Sequence, residues 1–288
     1  MDQPKLAKML NQDLADEHAA IIRYLVHSYL EGEDTPIGAG LLSRAREEMW
    51  HMHWLGMILG RMGVEPELIP APYPYDPTSR ATIFKSYIAY EQNLIPLYRQ
   101  QAEAVDDPHI KRVLQREGWE SAMHAGKFQK VLDKLTPEQA AGLPGGDNEL
   151  PDQFMDKLQK LVAGKYTQML QSLRNAWMFQ QDGLLGWKIM DFSMTKMKQL
   201  AHLAETVAEN GIVPPLLPGA IDRSTAVGKA LQLALENLKA SREIHLVFSR
   251  EVDLETHAGL AKNVNLIIRQ EEFESQEIED WIKSGSSE

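Results

Sequence analysis

Apolar residues recur along almost the whole chain at spacings of three, four and seven, the interval that lines one face of an α-helix. Leu6, Leu10, Leu14, Ile21 and Tyr24 form a first stripe. Leu41, Ala45, Met52, Leu55, Leu59 and Met62 form a second, which stops at Gly63, a helix-ending residue. Turn-rich sequence with four prolines follows from Glu65 to Asp76. A third helix is predicted from about Thr78 to Val105, bent at Pro96, which removes a backbone hydrogen bond. Asp106-Asp107-Pro108 opens a fourth, with Ile110, Val113, His124, Phe128 and Val131 on one side. No segment alternates as a strand would, so the expected fold class is all-α.

The stretch from Thr136 to Pro151 contains Leu143-Pro144-Gly145-Gly146-Asp147-Asn148 and reads as a linker. Beyond it the pattern starts again. Gly63-Val64-Glu65-Pro66-Glu67-Leu68-Ile69-Pro70 matches Gly211-Ile212-Val213-Pro214-Pro215-Leu216-Leu217-Pro218, an offset of 148 residues from Gly63 to Gly211. Trp119-Glu120-Ser121 resembles Phe273-Glu274-Ser275 at a slightly different offset. The expectation is a tandem duplication of a four-helix unit: a bundle over 1–135, a linker over 136–151 and a second bundle over 152–288. A length of 288 residues is long for one helical bundle and comfortable for two.

Composition narrows the chemistry. Apolar residues at 43% and charged residues at 25% are ordinary for a chain with a packed core. A formal charge of −11 argues against nucleic-acid or anionic-membrane partners. The absence of cysteine rules out disulfides, thiolate metal sites and cysteine nucleophiles, so any metal must be held by oxygen and imidazole. With no leader-like segment and no membrane-length apolar run, a cytoplasmic location is expected. The thirteen methionines, among them Met49, Met52, Met190 and Met197, read as core filler.

Polar residues interrupt the apolar stripes of the first half. Glu17 falls between Leu14 and Ile21, Glu48 and His51 between Ala45 and Leu55, and Glu91 between Tyr87 and Leu94. On the fourth helix Glu117, Glu120 and His124 continue the line from Val113 to Phe128. Every helix thus points a carboxylate inward, where an isolated one is costly and several would repel. A pair of divalent cations resolves the conflict. Di-metal carboxylate bundles draw one Glu from each of two helices and a Glu-x-x-His pair from each of the others. Glu48-Met49-Trp50-His51 is such a pair, with Glu17 and Glu91 as the single carboxylates. On the fourth helix Ser121 stands three residues before His124, so either Glu120, which we favour, or Glu117 must supply the carboxylate. His18, His27 and His53 fall off this line and read as ordinary structural histidines.

The run Leu10-Asn11-Gln12-Asp13-Leu14-Ala15-Asp16-Glu17, followed by Tyr24, resembles the first helix of bacterioferritins, rubrerythrins and related ferritin-like proteins. Glu48-Met49-Trp50-His51 resembles their second-helix motif. The resemblance covers residues 1 to about 135. It implies a ferritin-like bundle in which Glu17, Glu48, His51 and Glu91 are ligands of two iron ions (manganese as the alternative). It also places Tyr24 beside the metals. The expected activity is oxidation or oxygenation driven by dioxygen or peroxide, with a small organic molecule as a further candidate substrate. Metal binding or iron handling without turnover, or a purely structural helical partner, are the other readings. The 148-residue offset takes Glu17 to Lys165, Glu48 to Lys196 and His51 to Gln199, so the second half is expected to lack metal. Its remaining acids, Glu236, Glu271 and Glu274, are available to pair with those lysines. Two such halves would form a pseudo-dimer within one chain, with further assembly left open.

Overall fold

The computed structural model describes residues 1–145, 150–252 and 257–285. The linker residues Gly146, Asp147 and Asn148 lie outside that set. The described structure is all-helical and divides into two compact units, Met1–Gly146 and Asp147–Glu288. Both are helical bundles, arranged in tandem along the chain. No described helix is long and apolar enough to cross a membrane.

The first unit contains α1 (Gln3–Glu31), α2 (Pro36–Arg61), α3 (Arg80–Ala104), α4 (Pro108–Leu132) and the short α5 (Pro137–Ala141). Side chains of Asp2, Thr35, Ser79 and Asp107 cap the first backbone amides of α1 to α4. At α2 and α4 proline follows the cap directly, where its missing N–H is no loss. Short turns make α1 pack against α2 and α3 against α4, and α2 also touches α4. At the first turn Gly38 must be glycine: a Cβ there would lie 1.9 Å from the Gly32 carbonyl oxygen.

Helix α2 ends as predicted, with Gly63 at φ 67° and the Val64 N–H returning to the Leu59 carbonyl at 2.9 Å. The proline-rich segment after it runs back along α1, where Asn11 binds the backbone of Glu65 and Glu67. Such a long crossover lets α2 and α3 lie parallel, as in ferritin-like bundles. Residues 136–141, expected as linker, instead hold the capped turn α5, because Thr136 and Gln139 form a reciprocal capping box. The backbone N–H of Arg80 donates to the Gly142 carbonyl at 2.9 Å, so this turn belongs to the first unit.

The second unit contains α6 (Asp152–Met178), α7 (Gly183–Glu209), α8 (Val227–Ser249) and α9 (Ala258–Gly285). Here α6 pairs with α7 and α8 with α9. Landmarks of the first unit recur at the same offset. Gly211 ends α7 at φ 74°, and a Cβ on Gly186 would meet the backbone of Gln180 at 2.9 Å. In the bundle interior the Lys165 ammonium donates to Glu271 at 2.7 Å and Lys196 to Glu274 at 2.5 Å. Glu271 also accepts from Ser241 at 2.7 Å and lies 3.1 Å from His245 Nδ1. Burial lowers the Lys165 pKa, and the Glu271 carboxylate opposes that fall. Glu236 is exposed and accepts a hydrogen bond from Gln232, because it falls off the stripe of Leu231, Leu235 and Leu238.

Removing one member of a buried pair strands the other. Lys165→Met should therefore destabilise the second unit by about 3–5 kcal/mol, while Lys165→Met with Glu271→Leu should recover most of the loss. Urea unfolding of the parent and both variants tests this, and equal stabilities for single and double variants would contradict it.

Candidate metal centre

The stripes that bury α1 to α4 are interrupted by ionisable side chains facing one another. Glu17, Glu48, His51, Glu91, Glu117 and His124 are all buried to at least 98%. Glu48 occupies the middle. One of its oxygens lies 2.8 Å from His51 Nδ1 and the other 2.7 Å from His124 Nδ1. Glu17 approaches His51 Nδ1 at 3.3 Å, and Glu91 approaches His124 Nδ1 at 3.4 Å. The imidazoles lie nearly parallel, 6.3 Å apart. Among the described residues, two groups could hold a metal ion: Glu17, Glu48 and His51, and Glu48, Glu91 and His124. In each, the donor atoms lie within 4.8 Å of one another.

The outer nitrogens are also engaged. His51 Nε2 is 2.5 Å from Glu120 and His124 Nε2 is 2.6 Å from Glu47. Arg116 donates to Glu120 at 2.8 Å, and Arg44 to Glu47 at 2.7 Å. Each ring therefore turns one nitrogen inward and has the other fixed by a carboxylate, the arrangement that orients metal-ligating histidines.

Several inner atoms find no hydrogen-bond partner among the described residues: Glu91 Oε2, both oxygens of Glu117 and His124 Nδ1. The last lies close to Glu48 yet is not aligned to donate to it. Buried polar atoms left this way are costly and rare. A cation between them would satisfy them together, so the donor set fits a metal. Oxygen and imidazole donors without sulfur suit iron or manganese.

Electrostatics follow the same lines. Burial, reinforced by Glu48, pushes Glu17 up to about 7, with His51 opposing. Burial also drives Glu117 well above the usual carboxylate range. At His124 burial works against charge, but Glu48 and its neighbours outweigh it and raise the imidazole to about 12. The His51 hydrogen bond and Arg116 hold Glu120 down at about 2.

The structure brings Glu17, Glu48, His51, Glu91 and His124 together and sets Glu120 apart from the inner groups, on the outer nitrogen of His51. Of the two fourth-helix candidates, Glu117 is the one whose carboxylate stays inside, since α4 turns residue 120 toward its flank and Arg116. Tyr24 donates to Glu91 at 2.6 Å. His18 is buried, with burial pushing it down to about 4; His27 binds Glu31 and Tyr87; and His53 packs edge-on to Trp50. Sequence reasoning missed Tyr98, which donates to Glu17 although it lies two turns beyond Glu91 on the same stripe. It also missed Glu47, which no periodicity marks. A third omission is Asp13, one turn before Glu17, which accepts from Gln101 at 2.7 Å.

No family profile matches the chain. Over 91 residues it is 31% identical to a protein described as a ferritin-like-encapsulin shell fusion protein from Pyrococcus furiosus. The match takes in 32% of this chain and 26% of that protein, so the chain spans about a quarter of its length. Over that stretch the chain is similar to a ferritin-like protein, and its buried Glu/His groups could hold metal.

Burial raises the Asp13 carboxyl to about 8 from an ordinary 3.8. Between those values the folded chain holds a proton that the unfolded chain has lost, so this residue makes stability fall as pH rises through the window. Asp13→Asn lacks that term. Its melting temperature relative to the parent should climb from about pH 4 to about pH 8 and then level, measured in chelator. A difference independent of pH would contradict the assignment.

Proposed function

We propose that the first unit is a di-metal carboxylate centre, iron in the first instance and manganese as the alternative, acting as an oxidoreductase on dioxygen or peroxide. The observation that carries this reading is the position of Glu48, whose two oxygens face the inward nitrogens of both histidines. Glu17, Glu48 and His51 would hold one ion, and Glu48, Glu91 and His124 the other. For the fourth-helix carboxylate we choose Glu117 over Glu120. Both oxygens of Glu117 are buried and have no hydrogen-bond partner among the described residues, whereas Glu120 is committed to His51 and Arg116. Bound there, such an ion pair would supply redox chemistry toward dioxygen or peroxide.

The chain's own groups prepare the site. Glu47 and Glu120 fix the orientation of the two rings. Tyr98 donates a hydrogen bond to Oε1 of Glu17 and leaves Oε2 for His51, whereas Tyr24 donates to Oε1 of Glu91, the same oxygen that approaches His124. Tyr24, Tyr87, Phe84 and Phe128 form a contiguous buried aromatic wall that excludes water on that side.

We read the second unit as a degenerate copy of the first, with α5 assigned to the first unit and not to a linker. The repeated glycines and the equivalent buried leucines Leu68 and Leu216 support duplication. Lys165 and Lys196 stand where Glu17 and Glu48 would be, and their ammonium groups supply the positive charge there. Iron handling without turnover is a second reading. It is favoured by the likeness to a protein whose description joins a ferritin-like part to a shell.

Oxygen-electrode and peroxide assays on iron-loaded protein separate the two. Turnover should exceed the bound metal and vanish in Glu48→Gln; consumption that stops at the metal equivalence would leave iron handling alone. Glu120→Gln should retain the site but weaken metal affinity about 10–100-fold, as loss of an orienting carboxylate does. Glu117→Gln should lower the amount of metal bound at saturation. The reverse pattern would return the ligand role to Glu120.

A further inference from the structure

Trp50 and Trp54 belong to none of the Glu/His groups, yet they form a chain of ring contacts from solvent to one of them. Both lie on α2, one turn apart, beside the inward-facing His51. Trp54 is half-buried, its ring centroid 5.7 Å from that of His51 and inclined by 33°. Trp50 is 58% exposed and lies 6.4 Å from Trp54 at 30°.

The inner indole is held from the opposite helix. The Arg116 guanidinium on α4 sits 4.4 Å from the Trp54 ring centroid, a cation–π distance. Arg116 Nε binds one oxygen of Glu120, and the other oxygen of Glu120 binds His51 Nε2. His51, Trp54, Arg116 and Glu120 thus close a ring of contacts that presses the indole against the imidazole. Electron tunnelling falls exponentially with the gap between groups, so contiguous π-systems outrun a path through aliphatic side chains. Indole also gives up one electron without having to release its N–H proton.

We propose that Trp50 and Trp54 form a one-electron conduit between solvent and the metal site at His51, with Trp50 the entry point for a soluble one-electron reductant. The proposal rests on the di-metal reading, which supplies the electron acceptor. One electron leaves Trp54 for the oxidised metal pair, reducing it by one unit and leaving an indole radical cation. Trp50 returns one electron to Trp54, and the external reductant, ascorbate in the test below, returns one to Trp50. No bond is made or broken and no proton moves. Without a reductant, the oxidised Trp50 is consumed: two electrons are lost in turn and water adds, giving hydroxytryptophan and two protons. Hydrogen peroxide takes up those electrons and protons to form water.

That product reports on the conduit independently of turnover. Full-length protein, with and without iron and with its metal content measured, is treated with hydrogen peroxide, and tryptophan oxidation is mapped by peptide mass spectrometry. Trp119 is the internal control, since it is 62% exposed on α4 and no ring contact among the described residues joins it to either histidine. Trp50 should be oxidised several-fold more than Trp119 in the iron-loaded protein only, and ascorbate should suppress the excess. Trp54→Phe should bring Trp50 down to the Trp119 level, and Trp50→Phe, a surface change, should shift the product to Trp54. Equal oxidation of Trp50 and Trp119, or an unchanged excess in Trp54→Phe, would overturn the conduit while leaving the metal site standing. A parent protein that binds no metal would overturn both, and the metal analysis tells the two failures apart.

Discussion

Carboxylates with unused oxygens inside a helical bundle are the constraint from which the rest of the first unit follows. Glu17, Glu48, Glu91 and Glu117 are withdrawn from water and face one another, and burial raises the carboxyls of Glu17 and Glu117. Two imidazoles supply part of the compensation, and Glu48 lies between them. The tyrosines and outer carboxylates then fix which way each inner donor faces. The result is a stiff frame with donors pointing at a shared space, which is what a cation site requires and what apolar packing alone would not build.

The second unit meets the same problem differently. Its interior acids, Glu271 and Glu274, are answered by Lys165 and Lys196, whose charges are covalently part of the bundle. A lysine satisfies a carboxylate by donating hydrogen bonds and offers no lone pair to a metal while charged. On the proposed duplication, these lysines would put a built-in cation where the first unit would take an exogenous one. Such pairs add little net stability, since desolvation offsets most of their attraction.

Helix positions, the turn glycines and the inward line of Glu17, Glu48, His51, Glu91 and His124 were legible because each rests on a periodicity of local spacing. The fourth-helix carboxylate was less so. Glu117 and Glu120 both lie near the stripe, and only the packed bundle separates an inside position from one on the flank. Tyr98 lies on the α3 stripe, and its hydroxyl finds Glu17 only once α1 and α3 are packed together. Glu47 and Arg116 act across helices from partly exposed positions, where no hydrophobic pattern points to them. The capped turn at Pro137–Ala141 runs directly into a Pro/Gly-rich stretch whose composition reads as linker, although Thr136 and Gln139 carry the capping signal.

Elemental analysis of protein purified from iron- or manganese-supplemented cells, beside the Glu48→Ala, His51→Ala variant, reaches the central claim most directly. Roughly two equivalents of iron or manganese per chain, lost in the variant, is the predicted result for one di-metal site in the first unit. Absence of metal from the parent, or its full retention in the variant, would contradict a metal centre built on Glu48 and His51.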